Sequence, residues 1–435
     1  MSGLSLRRNA LLLVLLIAIM AIVGDWSHDP GLAGLWRIPA ALLLMGLAYE
    51  SWLVSRSGLA VDIEAPQTLF LGRSVSLRFV IEHTLGRSLR LEVAPSAPEH
   101  MEIENHIERL LVAPGERAAF TRRTVPGRLG DYPWPSMKTR MAGPLGLAWW
   151  PRELKCQLCL RVSPDLFRSG DEVKGVAQSG ALVGTEMGAG AEVLRLREFR
   201  DGDPPRVIDW KATARAGRLI SRDFAQDYGL QIVIMVDAGR SSGLRAGALD
   251  RFGHYVNVAA RLAQFAAERD DLVGLVVYAD RPLAALAPAR GAGSVARLRA
   301  LLSASRVEPT ESNPLFAATR VRSLVRHRSL VVLLTDIDDA SGESQLAQAV
   351  RFLLPTHLPF VAGLSSAAAQ TMASAPARHW LDPYRSLAAQ EYCIGLDRKV
   401  RALNALGAPA LIARPDHLER AVFTAYANFR QRRRA

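Results

Sequence analysis

A chain of 435 residues holds two or three domains and a sizeable core. Its 49% hydrophobic and 7% aromatic content fits a globular protein with some membrane material, and three cysteines exclude a disulfide framework. The +12 charge points first at nucleic acid or anionic lipid. However, only five of the 54 basic residues are lysines, so the excess points to GC-rich codon usage more than to a selected binding face.

Ala10–Val23, "ALLLVLLIAIMAIV", is continuously apolar behind Arg7 and Arg8, and Ile38–Val54 forms a second apolar segment. Each is a little short of the roughly 20 residues that cross about 30 Å of hydrocarbon. Snorkelling Arg7 and Arg8, with Trp26, Trp36 and Trp52 at the interfaces, make up the difference. A cleaved signal peptide is the rival reading, but no small-x-small site precedes Asp25 and a second apolar run follows. Residues 1–57 are therefore expected to form a transmembrane helical hairpin. Arg7, Arg8 and Arg56 lie outside it, while its loop carries Asp25, Asp29 and Arg37. The positive-inside rule then puts both ends in the cytoplasm.

Residues 58–165 change pattern. "VSLRFVIEH", "LRLEVAP", "ERAAFTRRTV" and "KCQLCLRVSP" alternate apolar and polar residues between Gly and Pro breaks, predicting an antiparallel β-sandwich-like domain. Cys156 and Cys159 sit three apart within one such strand, which points them to opposite faces and disfavours zinc.

Residues 166–228 read as a linker, including the glycines of "GTEMGAGAE", followed by "LREFRDGDPPRVIDWKATARAG" at Leu196–Gly217. Asp203 is placed to cap a helix over Pro204–Ala216, Pro204 suits its first turn, and Gly217 lies beyond its end. Val207, Trp210 and Ala214 then share a face expected to pack as core. Arg200, Asp203, Arg206, Asp209, Trp210, Lys211 and Arg215 are the candidates for binding a partner or locking domains together. From Leu166 to Gly229 ten Lys/Arg meet ten Asp/Glu, which argues against a phosphate footprint. A nucleic-acid reading, with Trp210 stacking a base, therefore ranks second. A hydrolase using Asp201, Asp203 and Asp209 ranks third, because no histidine occurs between Leu111 and Gly253 and no nucleophile–base arrangement is visible. The chain reads as non-enzymatic.

Residues 229–435 alternate strands and helices. "LQIVIMVD", "LVGLVVYAD", "SLVVLLTD", "PFVAGLS" and the weaker "APALIAR" are strands; "RFGHYVNVAARLAQFAAERD", "SVARLRALLSA", "PLFAATRVRSLVRH" and about Glu343–Leu354 are helices. This order predicts a doubly wound α/β domain with its ligand beyond the strand carboxyl ends, where Asp237 and Asp336 lie. No phosphate-binding glycine motif follows a strand. Asp237 opens "DAGRSS", and such a strand-end D-x-S-x-S resembles the metal-ion-dependent adhesion site of von Willebrand factor A domains. The resemblance implies Mg²⁺ or Mn²⁺ on Asp237, Ser241 and Asp336, with Thr310 or Ser312 supplying a further hydroxyl, as a hard cation requires oxygen ligands. Gly239 stands where a second serine is expected. The competing reading is that Asp237 merely caps the following segment.

Together, "LREFRDGDPPRVIDWKATARAGRL", "GPLGLAWW" (143–150) and the "VDAGRSS"/"LLTDIDD" pair resemble the domain-of-unknown-function-58 family of bacteria. Gly143 and Leu145 depart from the Asp and Phe of a D-P-F-G-L pattern. Membership implies a protein anchored in the bacterial inner membrane with a degenerate von Willebrand factor A-like domain. It implies a MoxR-type AAA+ ATPase as partner, with other A-domain or transglutaminase-like proteins, in chaperone-like assembly systems.

Overall fold

A computed structural model describes residues 4–26, 34–104, 106–166, 193–200, 205, 208–224, 230–337 and 345–434. The chain divides into two compact units between Ser163 and Pro164.

The first unit contains α1 (Arg8–Trp26) and α2 (Arg37–Ser55), both long and apolar enough to cross a membrane. Nineteen residues at 1.5 Å each give about 28 Å, close to the thickness of the hydrocarbon core. Leu11, Leu12, Leu15, Ile22, Leu42 and Met45 are all exposed, so these helices present apolar surface instead of burying it. The β part follows as β1 (Ser5–Leu6), β2 (Ala60–Glu64), β3 (Thr68–Phe70), β4 (Val75–Glu82), β5 (Leu89–Ala94), β6 (Met101–Ile103) and β7 (Glu108–Val112). It continues through β8 (Ala118–Pro126), β9 (Gly130–Pro133), β10 (Met137–Ala142), β11 (Ala148–Leu154) and β12 (Cys159–Ser163).

These strands form sheets β1-β11-β10-β5-β7, β2-β4-β8-β6 and β3-β12-β9, antiparallel except for the β3–β12 pair. Alternation in β4 drives Leu77, Phe79 and Ile81 inward. Phe79 stacks on Phe120, its register partner in β8, at 5.0 Å, and meets Trp134 edge-on at 5.8 Å. The sequence placed both Cys156 and Cys159 on one strand, but Cys156 precedes β12; it is half-buried, whereas Cys159 is exposed.

The apolar hairpin is tied to these sheets. Ser5 pairs with Trp149 and Leu6 with Ala148, adding β1 to the edge of β11. With α1 and α2 as spans, this pairing puts the chain before α1 and after α2 on one face of the membrane.

The second unit opens with β13 (Val193–Glu198), α3 (Trp210–Ala216) and β14 (Ile220–Phe224). It continues through β15 (Gln231–Asp237), the short β16 (Arg245–Ala246) and β17 (Leu249–Asp250), α4 (Arg251–Ala267), β18 (Leu272–Tyr278), β19 (Pro282–Ala289) and α5 (Ala292–Ala304). Beyond these come α6 (Pro314–Leu324), β20 (Leu330–Leu334), α7 (Gln345–Leu353), β21 (Leu358–Leu364), α8 (Ala367–Ser374), α9 (Asp382–Ala405), β22 (Ala410–Ala413) and α10 (Pro415–Arg434). Six strands run β19-β18-β15-β20-β21-β22, all parallel except β19. Continuous apolar runs suit strands covered on both faces: Val233, Met235, Val331, Leu333 and Val361 are fully buried. Phe252, Val256, Ala259, Ala260 and Ala263 of α4 are buried as its pattern predicts. The edge strand β19, "PLAALAPA", was not foreseen; its two prolines are tolerated at a sheet edge, where fewer N–H groups must pair.

Candidate functional site: a buried acid at the strand switch

From β15 the chain winds one way through β18 and β19, then returns to the other side of β15 as β20. This reversal lies at the carboxyl ends of β15 and β20, where doubly wound sheets place ligands. Asp237, the last residue of β15, is only 1% exposed. Its Oδ1 accepts from Gly239 N at 2.9 Å and from Ser312 Oγ, and its Oδ2 accepts from Thr335 Oγ1 at 2.6 Å. Ser312 is delivered by a loop stitched to the end of β15: Glu308 N donates to Ala238 O and Arg240 N to Thr310 O. That loop ends where Asn313 caps α6 through Phe316 N. Of the two hydroxyls left open by the sequence, Ser312 reaches the acid, and Thr335 is a further one the sequence reading missed.

Asp336, one residue beyond Thr335, pairs with Arg251 at the start of α4, and both side chains are less than a tenth exposed. Asp250 caps α4 through Gly253 N at 2.7 Å, which fixes where Arg251 emerges. Ser241 lies half-buried in the single 3-10 turn over Arg240–Gly243.

This geometry does not fit the cation set read from the sequence. The distal carboxylate is committed to a guanidinium, and a Cβ at Gly239 would overlap Ser312 Oγ, so the second serine position is filled from another loop. No cluster of three or more His, Cys, Asp or Glu side chains suited to a metal occurs among the described residues. Nor is Asp237 poised as a base in a triad: His254 Nε2 lies 2.7 Å from Ala246 O, and burial holds its pKa below the ordinary histidine value.

Burial pushes the Asp237 carboxyl above the ordinary aspartate range, against the pull of Ser312, Thr335 and Gly239 N. A raised folded-state pKa means its contribution to stability is full below the unfolded value of about 3.9 and is lost as pH rises through the raised one. Asp237→Asn keeps an acceptor for Ser312 and Gly239 N, and its amide can donate to the Thr335 hydroxyl. In urea titrations the variant is therefore expected to be at least as stable as wild type at pH 7, with the gap closing as pH falls towards 4. A variant weaker at pH 7 than at pH 4, relative to wild type, refutes a buried strained carboxylate.

The stretch Leu196–Gly217 is arranged differently from what its sequence predicts. The helix is α3 alone, and its cap is Asp209, which accepts from Ala212 N at 2.9 Å; Asp203 and Arg206 lie outside the described residues. Two prolines at 204 and 205 mimic a first turn, but the helix begins only where Asp209 can reach forward. Gly217 ends it at φ 67°, as foreseen. The Ala212 N–H and then Arg222 hold the Asp209 carboxyl below its usual range. Ile220 N donates to Thr213 Oγ1 at 3.0 Å, fastening α3 to β14, and Arg218 pairs with Glu198. Trp210 was expected in a core, yet it is 66% exposed and α3 buries no residue at all. Arg200, Lys211 and Arg215 are exposed as well.

The second unit is therefore a mixed α/β unit with a hydroxyl-ringed buried acid at its strand switch and an exposed helix fastened to a hairpin. Residues 195–357, which include both features, match the family described as Protein of unknown function DUF58. No curated protein matches the chain. Among solved structures it is similar to the conserved hypothetical protein BatB from Bacteroides thetaiotaomicron, at 10% identity over 47% of this chain and 100% of that one, with TM-score 0.31. It is also similar to Salmonella alpha-2-macroglobulin reacted with methylamine, at 16% identity over 25% of this chain and 7% of that one, with TM-score 0.20. The chain thus matches only a small part of the alpha-2-macroglobulin.

Proposed function

We propose that this protein is a non-enzymatic, membrane-anchored interaction protein that partners a MoxR-type AAA+ ATPase in chaperone-like maturation of other proteins or complexes. In this reading the hairpin sits in the bacterial inner membrane with the soluble units in the cytoplasm. The α/β unit is a von Willebrand factor A-like module in which Arg251 provides the positive charge that a metal supplies elsewhere.

The exposed Trp210 carries the reading. A seven-residue helix with no buried residue is held by its Asp209 cap, the Thr213 bond, the Asp209 N–H to Ile220 O bond and Gly217. Such a device fixes the indole in place at little cost in side-chain freedom, and rigid exposed tryptophans are the residues on which interfaces most often depend. Lys211 and Arg215 flank it with positive charge for an acidic partner surface. Asp209, Glu198, Arg218 and Arg222 instead pair among themselves and hold the platform.

Crosslinking in detergent-solubilised membranes should recover an AAA+ ATPase with the wild-type chain. Trp210→Ala should lose that recovery while its stability stays within about 0.5 kcal/mol of wild type, as for other surface substitutions. Recovery of a different stable partner, or undiminished recovery by Trp210→Ala, would sink this assignment.

A further inference from the structure

The most buried charge in the first unit is Glu50, which is fully enclosed although it lies in the apolar helix α2. Its Oε1 accepts from Leu145 N at 2.9 Å and Leu147 N at 3.1 Å. Its Oε2 accepts from Ala148 N and from Trp150 Nε1, each at 3.2 Å. A carboxylate offers only acceptors, and here it meets only donors. It satisfies every one of these N–H groups in the turn between β10 and β11. A Cβ at Gly143 would overlap the Glu50 carboxylate, so a side chain at 143 and an acid at 50 cannot share this space.

The turn also has a defined height along the helices. Arg7 N, just before α1, donates to Leu147 O at 2.8 Å. Leu145 and Leu147 both lie against Gly46, one turn further into α2 than Glu50; a Cβ there would come within 3.3 Å and 2.8 Å of their Cδ1 atoms. Leu145 at the tip is 52% exposed and keeps company with exposed Leu42, Met45 and Tyr49 of α2. The Arg7 guanidinium lies 5.2 Å from the centre of the Trp149 ring, and that of Arg56 lies 4.3 Å from Trp52. Arginines and tryptophans at one level mark the boundary between headgroups and hydrocarbon.

We propose that Gly143–Leu147 is a third membrane element: the turn sits in the leaflet where α1 begins and α2 ends, and Leu145 enters its acyl chains. The proposal rests on α1 and α2 being membrane spans. Non-helical backbone is costly in lipid unless its polar groups are satisfied, and Glu50 does this from the neighbouring helix. The occupant of the exposed leucine surface is phospholipid, because the surface is continuous with the outward face of α2 and ends at the Arg–Trp level.

The test uses the full chain with Cys156→Ser, Cys159→Ser and Cys393→Ser, reconstituted in phosphatidylcholine–phosphatidylglycerol vesicles. Nitroxides are attached after Leu145→Cys, after Leu16→Cys in α1, or after Arg90→Cys on an exposed position of β5. The ratio of oxygen to nickel-chelate accessibility reports depth. The label at 145 should resemble the one at 16 and contrast with the one at 90. Adding Glu50→Gln, which puts an amide donor among the N–H groups, should shift the ratio at 145 towards that at 90. A label at 145 open to nickel while that at 16 is protected overturns the wedge and leaves the spans intact. A label at 145 reached by neither reagent overturns it too, because protein then covers the leucine. A water-exposed label at 16 removes the spans and the wedge together. No change with Glu50→Gln overturns the capping role.

Discussion

Arg251→Met is expected to destabilise the second unit by roughly 3–5 kcal/mol, the usual result of removing one partner from a buried ion pair. Arg251 and Asp336 are both almost excluded from water, so the variant leaves a buried carboxylate without its guanidinium partner. Arg251→Met combined with Asp336→Leu should recover most of the stability, because an apolar pair can replace a buried ion pair at little cost. Urea unfolding of the full chain reads both numbers. The same experiment decides the metal question. If a divalent cation belonged on Asp336, Mg²⁺ or Mn²⁺ would restore the single variant; the geometry predicts that neither ion moves its midpoint.

A comparable loss, again about 3–5 kcal/mol, is expected for Asp271→Ala. Asp271 is wholly buried at the start of β18. Its Oδ1 accepts from Leu230 N at 2.8 Å, and its Oδ2 accepts from the Tyr426 hydroxyl and from Arg430 Nη1, the latter at 3.3 Å. One carboxylate therefore fixes the entry of β15 and clamps α10 across the sheet. Truncation leaves a half-buried guanidinium and two donors without their acceptor. Hydrogen exchange should show α10 opening first, with β15 protected until global unfolding. Tyr426→Phe removes a single bond and should cost no more than about 1–3 kcal/mol. Equal costs for the two variants would show that Asp271 is not the hub of the clamp.

Elements buried on both faces were legible in the sequence almost to the residue. β15, β18 and β20 are unbroken apolar runs because no face of them meets water, and Gly217 announces a helix end because its positive φ suits glycine. Asp237 and Asp336 were found because a strand end in a parallel sheet is a privileged position. The groups that decide what those acids do were not legible. Arg251 reads as a routine charged residue at a helix start, and only the fold brings it to Asp336, 85 residues away. Ser312 reaches Asp237 because Gly239 leaves room, a complementarity of two loops that no local pattern encodes. Asp203 was preferred over Asp209 because the prolines beside it imitate a helix start. Periodicity placed Trp210 on a face that reads more readily as core than as contact, although periodicity says nothing about whether a second surface covers that face. The partners of Glu50 lie 95 to 100 residues further along the chain, beyond any local pattern.

The pairing of Ser5 and Leu6 with β11 also constrains the order of events during synthesis. The β1 strand waits long for its partner, since Ala148 and Trp149 are made more than 140 residues later. By then both apolar helices have emerged, so the sheet closes onto a hairpin already made. Until that moment β11 has an open edge and β1 has no partner. A bulky fusion ahead of Ser5 would compete with this closure, whereas one at the carboxyl terminus, far from it in sequence, would not.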